Sequence, residues 1–278
     1  MQGPATGGTD GRGGQGPAQL PRLDGQAMAA AREHVQRLVK PPGSLGRLEE
    51  LAVQLAGIFG CFPLPCPLGK AVVVFAADHG VARHGVSAYP PSVTAGMLPV
   101  FAGGGSAVAV LAELQGASLW VVDVGVARPA APEGAAAGDR RLVRACVRQG
   151  SRDFTVEPAM TLQEAVQAME VGRAVLRQAA SAGARAIALG EMGIANTTAA
   201  SALVAALCGA GPEQVVGPGT GLDAEGLARK RRVVEQALAR HRPDPGDPLG
   251  VLAAVGGLEI AALVGALLEA ARARVAAV

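Results

Sequence analysis

The stretch Leu189 to Ala200, LGEMGIANTTAA, places a carboxylate, a glycine turn and a Thr-Thr helix start directly after an apolar run. Ala184 to Leu189 reads as a buried strand and Thr197 to Ala210 as an Ala-rich helix, so Glu191 is expected at the carboxyl end of the strand, where open parallel sheets bind ligands. Gly193 lets backbone approach a ligand, and the helix start beyond it favours an anion such as phosphate. The alternative is an ordinary strand-to-helix turn capped by Asn196 or Thr197.

Three further loops carry polar residues beyond plain turn formers. Asp78-His79-Gly80 leads to Gly85-Val86-Ser87, where Ser87 suits a hydrogen bond to a heterocycle nitrogen. Asp78 and His79 either face a ligand or brace each other. Around Gly150, Arg152 and Asp153 read chiefly as a surface pair. The loop Gly217-Pro218-Gly219-Thr220-Gly221 can converge backbone N–H groups on an oxyanion, and Lys230 follows it by one helical stretch with a point charge. It lacks the GxxxxGK[ST] spacing of a Walker A loop.

Around these loops the chain alternates buried strands with helices. Helices are expected over Gln26 to Val39 and Ser44 to Ile58, the latter with Leu45, Leu48, Leu51, Leu55 and Ile58 on one face. Strands are expected at Ala71 to Ala77, Leu119 to Val126 and Ala184 to Leu189. Further helices are expected over Thr94 to Leu114, interrupted at Gly103-Gly104-Gly105; over Thr161 to Ala182, opening on a Thr161/Glu164 capping box; and over Ala224 to Arg240. The apolar stretch Leu249 to Ala271 holds Glu259 beside Gly256-Gly257, which argues for one buried helix or two short ones rather than a bilayer span. The pattern predicts an α/β fold, a three-layer α/β/α domain on a parallel sheet. Three strands are few for 278 residues, so a further strand is expected to be hidden or missing. The expected organisation is a disordered leader over 1–25, a small helical subdomain over 26–62 and an α/β nucleotide-binding domain over 68–278.

Composition narrows the class. The chain is 50% hydrophobic and 3% aromatic, with 39 Gly, which suits helices packed closely on a sheet. A net charge of +2 without a basic stripe argues against nucleic acid as a partner. Four cysteines without CxxC spacing argue against structural zinc, and His79 and His84 around glycines read as loop residues ahead of metal ligands. No metal or cofactor is expected. The N-terminus has no apolar signal core, so the expected location is the cytoplasm, with no membrane partner.

Eight segments stand in order: KPPGSLGRLEELA from Lys40, ADHGVARHGVSAYPPSVTAGM from Ala77, GGGSAVAVLA from Gly103, VVDVGV from Val121, GSRDFTVEPAMT from Gly150, LGEMGIANTTAASAL from Leu189, VGPGTGLDAEGLARK from Val216 and DPLGVLAAVGGLEIAAL from Asp247. Together they resemble the nicotinate-nucleotide:dimethylbenzimidazole phosphoribosyltransferase family over about residues 26 to 272. The resemblance implies transfer of the phosphoribosyl group of nicotinate mononucleotide to 5,6-dimethylbenzimidazole, with inversion at the anomeric carbon. The products are α-ribazole 5'-phosphate, used for the lower ligand of cobalamin, and nicotinate. It further implies a Rossmann-like large domain, a small helical domain and a homodimer. By matching positions, Glu191 is the expected catalytic residue. Ser87, Gly193, Asn196, Thr197, Gly217, Gly219, Thr220, Gly221 and Lys230 are the expected substrate-binding residues. In such relatives the chain continues past the closing apolar helix into further sheet and a Gly-Glu-Gly-type loop whose glutamate is the general base. This sequence stops at Val278 and neither Glu259 nor Glu269 matches that residue, so a truncated chain is expected. The alternative is a non-catalytic nucleotide- or benzimidazole-binding homologue, or an inactive fragment.

Overall fold

The computed structural model describes residues 20–127 and 140–278. The expected leader lies, over its first nineteen residues, outside the described residues. Helices α1 (Gly25–Arg37) and α2 (Arg47–Phe59) come first and pack on each other through Ala27, Ala31, Val53 and Ala56. Asp24 caps α1 by accepting a hydrogen bond from the Ala27 amide at 2.9 Å.

The chain then enters β1 (Lys70–Ala77), whose Val-Val-Val-Phe run suits a strand covered on both faces. A 3-10 turn (Gly80–His84) leads to α3 (Ser92–Ala102) and α4 (Ala107–Leu114). Strands β2 (Ala117–Gly125) and β3 (Arg140–Arg144) follow, then α5 (Leu162–Ser181) and β4 (Ala186–Met192). After them come α6 (Asn196–Cys208), α7 (Pro212–Val215), α8 (Ala224–His241), α9 (Pro248–Val255), α10 (Leu258–Arg272) and the two-residue β5 (Ala276–Ala277).

The strands form one parallel sheet in the order β3-β2-β1-β4-β5. Alternation along β1 divides the interior. Ala71, Val73, Phe75 and Ala77 join one core with residues of α5, α6, α8, α9 and α10, while Val74 and Ala76 join another with α3 and α4. This is the three-layer α/β/α arrangement with a topological switch at β1, where the chain leaves first to β2 and β3 and later to β4 on the other side. The crevice outside the carboxyl ends of β1 and β4 is therefore the ligand-binding position of such a sheet.

Helices α5 and α10 meet closely because Gly172 and Gly265 carry no side chain. A Cβ at Gly172 would run into the Ala262 carbonyl oxygen, and one at Gly265 into that of Met169. The Thr161/Glu164 capping box is present at the start of α5.

Some expectations are met and others corrected. The sheet has five strands among the described residues, so the further strand expected beyond the three visible in sequence is present, with one more. Strand β3 reads RRLVR, too polar to signal burial, and β5 is too short to show alternation. The apolar face expected of α2 is not its buried face. Leu45 precedes the helix, Leu48 and Leu51 are exposed, and Val53, Ala56, Gly57 and Phe59 are buried instead. Helical periodicity shows which residues share a face but not where that face is aimed, and the small residues allow the closer approach to α1. Leu51, Leu55 and Ile58 line an apolar cavity of about 700 Å³ together with Val108 and Leu111 of α4. The closing apolar stretch takes the second of its two expected forms, two helices broken at Gly256-Gly257.

Candidate active site

At the switch point, β1 and β4 run in register, with Phe75 opposite Glu191 and Ala76 opposite Met192. Glu191 thus leaves the sheet beside the Ala77-Asp78-His79 turn. Behind it, Gly193 packs so closely on β1 that a Cβ would strike the Ala77 carbonyl oxygen and reach within 3.1 Å of His79 Nε2. The Ile194 amide donates to the buried Thr94 Oγ1 of α3 at 3.1 Å. Ala195 follows with φ of 77°, a left-handed conformation uncommon for a residue with a side chain, so strain is concentrated in this turn. Asn196 then donates from Nδ2 to Glu191 Oε2, while its Oδ1 accepts from the Thr197 amide at 2.6 Å.

The remaining expected residues continue this chain of contacts. Lys230 of α8 is only 1% exposed, and its Nζ donates to Thr197 Oγ1 at 2.7 Å and to the Gly217 carbonyl at 3.2 Å. Gly219 has φ of 56°, and a Cβ there would come within 2.9 Å of Thr197 Oγ1 and 3.0 Å of Lys230 Nζ, so geometry and space both require glycine. Gly221 has φ of 94°. Thr220 Oγ1 lies 3.0 Å from Ser87 Oγ and accepts from the Ala88 amide at 2.8 Å, joining this loop to the β1 side. Arg229 strengthens that junction by donating to the Gly85 carbonyl at 3.1 Å. The structure thus brings all ten expected residues to one end of the sheet. Thr197, Gly217, Gly219 and Lys230 line a cavity of about 420 Å³ with Ala200, Ser201, Val204 and Val215. The larger apolar cavity against α2 and α4 lies elsewhere and carries no comparable set of polar groups.

The electrostatics suit an anionic, cation-forming substrate. Glu191 is exposed by area, yet the protein around it desolvates the carboxyl enough to push it above its ordinary value. The hydrogen bond from Asn196 opposes that rise, the charge of Glu259 adds to it, and His79 opposes it. Burial lowers the ammonium of Lys230. Its charge near the amino end of α6 and the Gly217 loop is an arrangement that suits an anion.

Other sequence expectations diverge. Asp78 and His79 do not brace each other. Asp78 Oδ2 accepts from the Ala127 amide at 2.9 Å, and His79 turns into the core beside Glu259. His79 and His84 face different carboxylates, since His84 Nε2 lies 2.8 Å from Asp153 Oδ2. Arg152 pairs with Glu164 at 2.7 and 3.1 Å instead of with Asp153, which is buried. Both residues of that expected surface pair tie their loop to other elements, Arg152 to the start of α5 and Asp153 to the 3-10 turn after β1. Thr94 and the His79–Glu259 pair were missed as parts of the site. The one sequence signal for Glu259 was a carboxylate inside an otherwise apolar run.

The phosphoribosyltransferase family DBI_PRT matches residues 20–278. A nicotinate-nucleotide–dimethylbenzimidazole phosphoribosyltransferase of Salinispora tropica is 52% identical over 266 residues, covering 93% of this chain and 73% of the relative. A protein of the same name from Roseiflexus sp. is 52% identical, covering 93% of this chain and 71% of its own. The crystal structure of the nicotinate-nucleotide–dimethylbenzimidazole phosphoribosyltransferase from Thermus thermophilus superposes with a TM-score of 0.83 at 43% identity, covering 92% of this chain and 73% of that one. A second structure, of CobT from the same organism, gives 0.84 at 44% identity, covering 91% of this chain and 73% of that one. With half its residues shared along nearly its whole length, and the same fold around the switch-point cradle, the chain belongs to the nicotinate-nucleotide–dimethylbenzimidazole phosphoribosyltransferase family.

Proposed function

We propose that the cradle binds nicotinate mononucleotide and transfers its phosphoribosyl group to 5,6-dimethylbenzimidazole, giving α-ribazole 5'-phosphate and nicotinate for cobalamin biosynthesis. The observation that carries this reading is the junction of Glu191, through Asn196 and Thr197, to the buried Lys230 and the Gly217–Gly221 loop. The carboxylate is thereby linked through two adjacent residues to an anion cradle whose Thr197 and Lys230 line a small cavity.

The N-glycosidic bond breaks with its electron pair going to the pyridinium nitrogen, which becomes neutral as positive charge develops on the ribose. Glu191 is placed to stabilise that sugar cation, and the amino end of α6, the glycine loop and Lys230 hold the phosphate. A benzimidazole nitrogen attacks the opposite face of the anomeric carbon, with Ser87 Oγ at the acceptor side. The benzimidazole N–H proton must pass to a general base, a role in which the family resemblance implies a glutamate.

Chromatographic detection of α-ribazole 5'-phosphate from the two substrates tests the reading. Product formation that depends on both substrates supports it; a folded chain that neither binds nicotinate mononucleotide nor forms product overturns it. We further propose a cytoplasmic homodimer in which α1 and α2 form a small helical subdomain. The exposed apolar Val110, Leu111 and Leu114 of α4 and four free cysteines support these readings. Light scattering tests the dimer, since a monomer at micromolar concentration contradicts it.

A further inference from the structure

Beneath the turn that carries Glu191 lies a buried acid–imidazole pair to which the proposed reaction assigns no role. The side chains of His79, just past β1, and Glu259, in the first turn of α10, are both 0% exposed, and His79 Nε2 stands 2.9 Å from Glu259 Oε1. That is an ion-pair separation outside hydrogen-bond geometry. Among the described residues neither carboxylate oxygen and neither ring nitrogen has a hydrogen-bond partner. Buried ionisable groups are costly, and a pair so poorly served by hydrogen bonds contributes little to stability.

Space around the ring explains where the pair acts. A Cβ on Gly193 would come within 3.1 Å of His79 Nε2 and 3.2 Å of its Cδ2, and a Cβ on Gly257 within 2.6 Å of its Cε1. The imidazole is therefore clamped between two glycines, one in the turn behind Glu191 and one capping the helix that brings Glu259. The His79 backbone is fixed as well, by a bridge to Ser151.

We infer that His79 and Glu259 form a positioning pair for Glu191, the imidazole bearing on the Gly193 turn and the pair placing a fixed charge arrangement behind the carboxylate. This rests on the reading that Glu191 acts on the substrate.

The charged groups facing His79 are Glu259 from α10, Glu191 from β4 and Asp78 from its own turn. Burial alone would lower the imidazole, but these three carboxylates outweigh it and raise it above its ordinary value, Glu259 contributing most. Facing Glu191 are Asn196, Glu259 and His79, and of the two charges Glu259 acts more strongly, raising the carboxyl. Removing the charge of Glu259 should therefore lower both partners.

The test is carbon-13 NMR titration of the full chain with labelled glutamate and histidine, Glu191 being assigned from E191Q. In the unaltered protein the His79 ring titrates above its ordinary value. In Glu259→Gln its midpoint falls, and that of Glu191 falls as well, by less than that of His79 because Glu191 is exposed to solvent that screens the charge. Glu259→Asp keeps the charge and restores both midpoints toward those of the unaltered chain, which a purely steric role would not do. Where turnover is measured, the acid limb of kcat/KM moves to lower pH in Glu259→Gln and returns in Glu259→Asp. A His79 midpoint at or below its ordinary value in the unaltered protein overturns the inference, and this needs no variant to fold. So does a Glu191 midpoint identical in the unaltered chain and a folded Glu259→Gln. A chain that shows the coupling but forms no product counts against the proposed function and leaves the pair standing.

Discussion

Glu191→Gln separates the electrostatic role of this residue from any structural one. The substitution keeps the shape of the side chain and removes its charge. At about 4 Å, a carboxylate stabilises a unit positive charge by about 1 kcal/mol in water and about 4 kcal/mol at an effective dielectric constant of about 20. Glu191 is exposed by area but partly desolvated, so it falls between these limits. A loss of about 2–3 kcal/mol of transition-state stabilisation corresponds to about 30–150-fold in kcat. KM for nicotinate mononucleotide should move less, because positive charge is present in the ground state too and migrates from ring to sugar during reaction. Stability should not fall. A carboxyl raised by folding favours the native state at low pH, and that advantage is lost as pH rises through the folded value, so at neutral pH the ionised group is a cost that glutamine removes. The assay is steady-state product formation with a parallel melting curve. A kcat within about threefold of the parent chain, or a loss matched by a collapse in Tm, would refute the electrostatic argument.

Lys230→Met should weaken nicotinate mononucleotide binding by about 10–100-fold in calorimetric titration, since it removes the cradle's buried charge and its bonds to Thr197 and Gly217; unchanged affinity would place the phosphate elsewhere. Gly172→Ala should cost about 1–3 kcal/mol in denaturant unfolding by driving a methyl into the Ala262 carbonyl, whereas a neutral result would mean that α5 and α10 separate freely. Glu164, whose carboxyl hydrogen bonding with Arg152 drops to about 2, should support stability above the ordinary carboxylate value and lose that support as pH falls through about 2. Glu164→Gln should therefore cost about 1–3 kcal/mol at pH 7, and the gap to the parent protein should narrow as the pH of the melts approaches 2.

The residues that gather at the candidate site were picked out in sequence because local chemistry marks them. A carboxylate after an apolar run, closely spaced glycines and a Thr-Thr helix start each constrain the backbone within a few residues, and the strands ARAIAL and AVVVFAA declare themselves by composition. The same holds for the Thr161/Glu164 cap, whose two partners are three residues apart. What local patterns do not encode is direction and pairing across the chain. Leu48 and Leu51 share a helical face turned away from α1, because the small residues of α2 are the ones that let α1 approach. Arg152 finds Glu164, and Asp153 finds His84, once the loops are folded over one another. The polar strand β3 is a strand only because β2 offers it an edge. His79 and Glu259, separated by most of the chain, become a pair only when α10 is laid against the carboxyl end of β1. Sequence spacing determined which groups stand ready for chemistry; the tertiary structure decided which of them meet, because burial and close approach depend on elements that are remote along the backbone.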